Sequence, residues 1–149
     1  MTVIATNRQT GHKYQLFDKY EAGIVLRGAE VKSVREGRVN LKESFVRIVR
    51  GEAFLINCHI SPYSHIQDIR MADPARMRKL LLKKGEIARL SGQVSRKGHT
   101  IVPLSIYFKK GLAKVEIAVA RGKREYDKRG TIRRRIAERE AQRAVKRRR

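Results

Sequence analysis

From Thr100 to Ala120 the chain twice places an apolar residue at every second position. Val102, Leu104, Ile106 and Phe108 fall on one side of an extended strand, KKGLAK turns the chain, and Val115, Ile117 and Val119 fall on one side of the return. A period of two buries one face only if the chain is in a sheet, so the body must be built on antiparallel hairpins. A second hairpin is predicted from Ser44 to Ile60. There FVRIV and AFLINCHI flank Arg50-Gly51-Glu52, which supplies the turn glycine, and Phe54, Ile56, Cys58 and Ile60 alternate with Leu55, Asn57 and His59. Further strands are expected at Lys13 to Phe17 and at Ala22 to Leu26.

Helical signals interrupt this pattern. Asp73-Pro74 reads as an N-cap with proline at the first helical position, opening a helix through RMRKLLLKK that Gly85 ends or kinks. Ile87, Leu90 and Val94 then recur at helical spacing, with Gly98 as a stop. A short helix is predicted from Glu30 to Glu36, ended by Gly37. The fold class that follows is mainly β: a small closed or partly closed β-barrel with about three α-helices packed on it.

Charge divides the chain differently. The sequence has 36 Lys+Arg against 14 Asp+Glu, a formal net charge of +22, yet 41% of its 149 residues are hydrophobic, enough for a packed core. Residues 1–120 hold 22 basic and 10 acidic residues, whereas residues 121–149 hold 14 basic and 4 acidic. Two modules are predicted: a globular body, 1–120, and a basic tail, 121–149. In the tail Ile132 and Ile136 would lie roughly 40° apart on a helix but Val145 would fall on the other side, so there is no continuous apolar stripe. The tail is therefore expected to be disordered in free solution and to fold against an anionic surface.

An excess of this size seeks a polyanion, with nucleic acid first, anionic membrane second and an acidic protein third. No apolar run approaches the about 18 residues of a membrane span, and MTVIATNRQTGHKY carries no signal-peptide core, so a soluble cytoplasmic protein is expected. Catalytic patterns are missing: no phosphate-binding GxxxxGK[ST], no GxGxxG, no GxSxG and no HExxH. Cys58 stands alone, and His12, His59, His65 and His99 lie in four separate segments, so the reading is a non-enzyme without metal or cofactor. The basic residues are what remain. Arg76, Arg78, Lys79, Lys83 and Lys84 cluster on the predicted helix as candidate phosphate contacts. Leu80, Leu81 and Leu82 cannot all be buried in one narrow stripe, so one of them is expected to be exposed. Aromatics are few and follow no base-stacking motif, which favours structured RNA recognised by shape and phosphate. In GKREYDKRG, Tyr126 offers a stacking face among Arg and Lys neighbours.

Four segments carry a resemblance. YEAGIVLRGAEVKS (Tyr20 to Ser33), GEAFLINCHISPY (Gly51 to Tyr63), DPARMRKLLLKK (Asp73 to Lys84) and TIVPLSIYFKKGLAKVEIAVARGKREYDKR (Thr100 to Arg129) resemble the bacterial small protein B family, partners of transfer-messenger RNA. The resemblance implies an oligonucleotide-binding-fold-like barrel that binds the tRNA-like domain of that RNA. It also implies delivery to stalled ribosomes, with the tail entering the empty message channel and folding near the decoding centre. Elongation factor Tu and alanyl-tRNA synthetase are implied as indirect partners through the RNA. Asn7, Glu21 and Leu81 match family positions linked to RNA binding, and Gly122 and Lys123 match the GK at the body–tail junction. Asp127, Lys128 and Arg129 match the tail's DKR, tied in the family to function on the ribosome, and Tyr126 stands where the family often has His. Residues 1–6 are not basic, and no RNA contact is assigned to them.

Overall fold

A computed structural model describes residues 2–61, 74–123 and 136–143. Nine strands and four helices follow in chain order: β1 (Thr2–Thr6), α1 (Thr10–Lys13), β2 (Tyr14–Ile24), α2 (Gly28–Arg35), β3 (Val39–Asn40), β4 (Phe45–Val49), β5 (Glu52–Ile56), β6 (His59–Ile60), β7 (Arg78–Leu81), α3 (Lys84–Val94), β8 (His99–Lys109), β9 (Leu112–Gly122), and α4 over residues 136–143.

Both predicted hairpins form, and on the same local chemistry. Arg50-Gly51 joins β4 to β5 and Lys110-Gly111 joins β8 to β9, with all four residues at positive φ. Two successive left-handed residues give a tight turn whose twist matches that of the strands it joins, and glycine takes its position there without steric cost. All strand pairs are antiparallel, in the order β8-β4-β5-β7-β2-β9, and β9 pairs back with β8, so six strands close into a ring; β1 adds to β8 outside it. Every strand of the ring sends residues to one core, among them Tyr20, Ala22, Val46, Leu55, Leu80, Ile101, Ile106, Val115 and Val119. Val34 of α2 and Leu90 of α3 join that core. Tyr20 Oη donates to Gln93 Oε1 at 3.0 Å and Gln93 Nε2 donates to Asp18 at 2.6 Å, fixing α3 to β2.

Three sequence expectations are corrected. First, no helix runs through RMRKLLLKK: Pro74 and Ala75 turn, Arg78–Leu81 is strand β7, and the helix starts only at Lys84. Burial alternates along β7, with Arg78 and Leu80 inside and Lys79 and Leu81 outside; a buried arginine hid the period of two. Asp73, the expected N-cap, lies outside the described residues. Second, the AFLINCHI run is two strands. Asn57 has φ 62°, which ends β5 and redirects the chain so that β6 pairs with β3 in a separate two-stranded sheet. Leu55, rather than Phe54, faces the ring core. Third, β8 does not keep one face. A register shift between Pro103 and Ser105 sends Ile101 and Ile106 to the ring core, and Val102 and Leu104 to a second cluster with Ala118, Ala120, Tyr14 and Leu16.

Candidate nucleic-acid interface

The outward face of β2, β7, β8 and β9 gathers residues far apart in sequence. Glu21 and Gly23 alternate along β2; Gly23 sits opposite Leu81 of β7 on one side and Lys114 of β9 on the other. Tyr107 of β8 lies opposite Lys114. Leu81 is 55% exposed and Val25 45% exposed, and the Val25 N–H donates to Lys79 O at 2.9 Å, which holds the two strands together here. Gly23 eases their approach: a Cβ on it would stand 3.3 Å from Leu81 Cβ, close enough that Leu81 would have to shift by a few tenths of an ångström. The result is a small apolar patch bordered by Glu21, Lys79, Lys109 and Lys114.

Glu21 is held ready as an acceptor. Tyr107 Oη donates to its carboxylate at 2.6 Å and Lys109 Nζ stands 3.4 Å away. The Tyr107 hydrogen bond, outweighing partial desolvation and aided by Lys109, keeps the Glu21 carboxyl below its ordinary range. Tyr107 is shifted the other way: burial and the neighbouring Glu21 carboxylate hold its phenol protonated well beyond its ordinary range. In chemical terms a carboxylate in this state can accept from amino groups or hydroxyls, an exposed leucine can pack on a flat apolar face, and lysines can pair with phosphates.

Asn7, Gly122 and Lys123 form a second locus around α1. Asn7 Nδ2 donates to Leu41 O at 3.2 Å and to Pro103 O at 3.3 Å, so its amide donors brace the body and Oδ1 is left to accept. Gly122 lies opposite Tyr14, the Lys123 N–H donates to Lys13 O at 3.1 Å, and Lys123 Nζ donates to Gly11 O at 2.7 Å. Tyr14 and Glu21 are seven residues apart on β2, roughly 20 Å along a strand. The predicted residues thus fall in two places, not one.

The basic cluster divides too. Lys79 is exposed and within 3.4 Å of Glu52. Lys83 and Lys84 are exposed where α3 begins, the end at which the helix dipole disfavours positive charge; the Glu86 carboxylate accepts the Lys83 N–H at 3.0 Å and offsets it. Arg78 is corrected: it is fully buried, and no phosphate can reach it. Its guanidinium donates to Glu30 at 2.7 Å, Cys58 O at 2.6 Å, Arg76 O at 3.1 Å and Pro74 O at 3.1 Å. Arg76 pairs with the same Glu30 carboxylate and is only one-fifth exposed. Burial pushes the Glu30 carboxyl upward, but hydrogen bonds from Arg76, the Arg27 N–H and Arg78 outweigh it and hold it below its ordinary value.

Sequence reasoning missed Val25, Tyr107, Lys109 and Lys114. The only available signal was the strand pairing, which places them beside Glu21 and Leu81. Tyr126, Asp127, Lys128 and Arg129 lie outside the described residues. Among the described residues no helix is long and apolar enough to cross a membrane.

Comparison with known proteins places this geometry in a family. The model of the family described as "SmpB protein" matches residues 4–147. An SsrA-binding protein of Halothermothrix orenii is 54% identical over 144 residues, covering 97% of this chain and 92% of that protein. One from Caldicellulosiruptor bescii is 56% identical, covering 97% and 90%; one from Trichodesmium erythraeum is 51% identical, covering 97% and 92%. A solved chain described as "tmRNA-SmpB: a journey to the center of the bacterial ribosome" matches with a TM-score of 0.69 and 46% identity, covering 90% of this chain and 96% of that one. The chain belongs to the SmpB family.

Proposed function

We infer that this protein binds transfer-messenger RNA and carries it to stalled ribosomes in the cytoplasm for trans-translation, as a binding protein and not as an enzyme. One observation carries the reading at the level of chemistry. Glu21, Leu81 and a rim of lysines lie on one outward face of the ring, and relatives 51–56% identical to this chain are named SsrA-binding proteins. On this reading Glu21, Leu81, Lys79, Lys83 and Lys84 grip the RNA, with Asn7 Oδ1, Gly122 and Lys123 as a second contact around α1. Arg76 and Arg78 act one step back, by holding β7 to α2. Tyr126, Asp127, Lys128 and Arg129 serve the tail's work in the message channel. Elongation factor Tu and alanyl-tRNA synthetase act on the same RNA and meet this chain only through it.

Because β9 runs to Gly122 and Lys123 is bonded to Gly11 and Lys13, the informative truncation ends at Lys123. The shortened chain should keep its affinity for transfer-messenger RNA and lose tagging of stalled peptides. A truncated body that no longer co-purifies with that RNA would refute the division of labour.

A further inference from the structure

At one end of the ring the inner face of the sheet runs out into solvent. Ile101 of β8 and Val119 of β9 pair in the core; the next pair along the same face, His99 and Arg121, lies beyond it, with Gln15 of β2 opposite Arg121. Beside them β2 carries a bulge. Between the pairs Leu16–Ala120 and Lys19–Ala118, both Phe17 and Asp18 stand against the single residue Val119. Such an insertion re-aims a side chain, and here Phe17 meets His99, the rings stacked with centroids 5.4 Å apart and planes 28° from parallel. The stack does not cover the phenyl ring. Phe17 remains 40% exposed, the one exposed Phe or Tyr among the described residues.

The surroundings supply the other parts of a nucleotide site. His99 Nδ1 stands 3.2 Å from Lys97 O. A carbonyl only accepts, so Nδ1 holds the proton and Nε2 of the neutral ring is an acceptor. Arg121 lies directly across from His99, and Arg96 and Lys97 immediately precede it; all three are exposed. None of the three has an ion-pair partner among the described residues. Asp18, the acid next to Phe17, accepts from Gln93 Nε2 at 2.6 Å and is thereby held to α3. A flat exposed ring on which a base can stack, an imidazole acceptor at its edge and unpaired cations for the flanking phosphates are what a single-stranded nucleic acid requires. A polyanion without bases would use the cations and leave the phenyl ring bare. The site also lies apart from Glu21 and Leu81, which face outward from the ring, whereas Phe17 and His99 belong to its inner face at the mouth.

We propose that the mouth of the ring is a second RNA site, at which an unpaired base of an RNA other than the one held on the outward face stacks on Phe17 over His99, with Arg121 and Lys97 on its phosphates. The proposal rests on the function inferred above only in taking RNA as the ligand. The chain has no tryptophan, so Phe17→Trp puts a single fluorophore at the site. A short oligoadenylate RNA added to the full chain should quench it at least roughly twofold by stacking. The same RNA should leave Leu112→Trp unchanged, because Leu112 lies at the far turn of the β8–β9 hairpin. Polyphosphate, which has the charge but no base, should quench neither. Adding His99→Ala or Arg121→Glu to Phe17→Trp should raise the half-quenching concentration roughly tenfold. Quenching should persist when the tRNA-like domain of transfer-messenger RNA fills the outward face. Absence of quenching, equal quenching at Leu112→Trp or by polyphosphate, indifference to both second substitutions, or displacement by that domain would each overturn the proposal. Quenching in a chain that does not bind the tRNA-like domain would support this site and refute the proposed function alone.

Discussion

Glu21 and Arg78 show how differently charged residues of two paired strands can be used. Glu21 is a negative charge on a chain with a net +22, and electrostatics alone would have it repel RNA. Tyr107 and Lys109 fix it as an acceptor instead, so Glu21→Ala should weaken RNA binding roughly tenfold, the worth of one charge-assisted hydrogen bond. Filter binding or fluorescence anisotropy decides it; equal or tighter binding would mean that Glu21 makes no specific contact. Arg78 and Lys79 are neighbours with opposite duties. Removing Arg78 leaves Glu30 with Arg76 alone as its charged partner and takes the donor from the carbonyls of Cys58, Arg76 and Pro74, so Arg78→Ala should cost about 3–5 kcal/mol of stability. Lys79→Ala should change stability by no more than about 0.5 kcal/mol and weaken RNA binding. Urea melts beside binding isotherms separate the two. Three leucines in a row required that one of them be exposed and the resemblance singled out Leu81, but neither pointed to Arg78. Nothing in RMRKLLLKK shows that one of its arginines is inside.

At the scale of elements, Glu30 carries the join between α2 and β7. Its carboxyl titrates below the ordinary 4.5 in the folded state, so its contribution is present above about pH 4.5 and is lost as pH falls through the lower folded value. Acidification from pH 5 toward 3 should therefore reduce the stability of the natural chain more steeply than that of Glu30→Gln. Parallel slopes in chemical denaturation across that range would show that α2 is held by packing alone. The hairpins at β4–β5 and β8–β9 were legible because turn residue and alternation agree locally. β7 was not, because its alternation is set by a partner 48 residues away in sequence, Glu30. Nor was the face change in β8, since a bulge shows only in the pairing. The interface was half legible for the same reason: Glu21 and Leu81 came from resemblance, while Tyr107, Lys109 and Lys114 reach them only through sheet register.

Over the whole molecule, the charge excess sets salt dependence, and the two modules predict how it is shared. Each phosphate neutralised by the body should contribute roughly 0.7–0.9 to the slope of log affinity against log salt. A chain ending at Lys123 should give the same slope with transfer-messenger RNA as the full chain. A clearly steeper slope for the full chain would show that the tail grips the same RNA as the body, against the division of labour inferred from charge.

The outermost strand adds a constraint on when this fold can exist. Thr2 pairs with Phe108 and Thr6 with Ser105, so the first strand made finds its partner only after about a hundred more residues, roughly 5–20 s at ordinary rates of synthesis. Ring closure waits longer still, because β2 must meet β9, whose last residue is Gly122. Such distant pairings pay loop-closure entropy before any contact repays it, which slows folding. The amino-terminal half emerges as strands with unpaired edges and no core of its own. Folding of this chain is thus a late, nearly all-at-once event, and an unfinished copy has no stable sub-structure in which to wait.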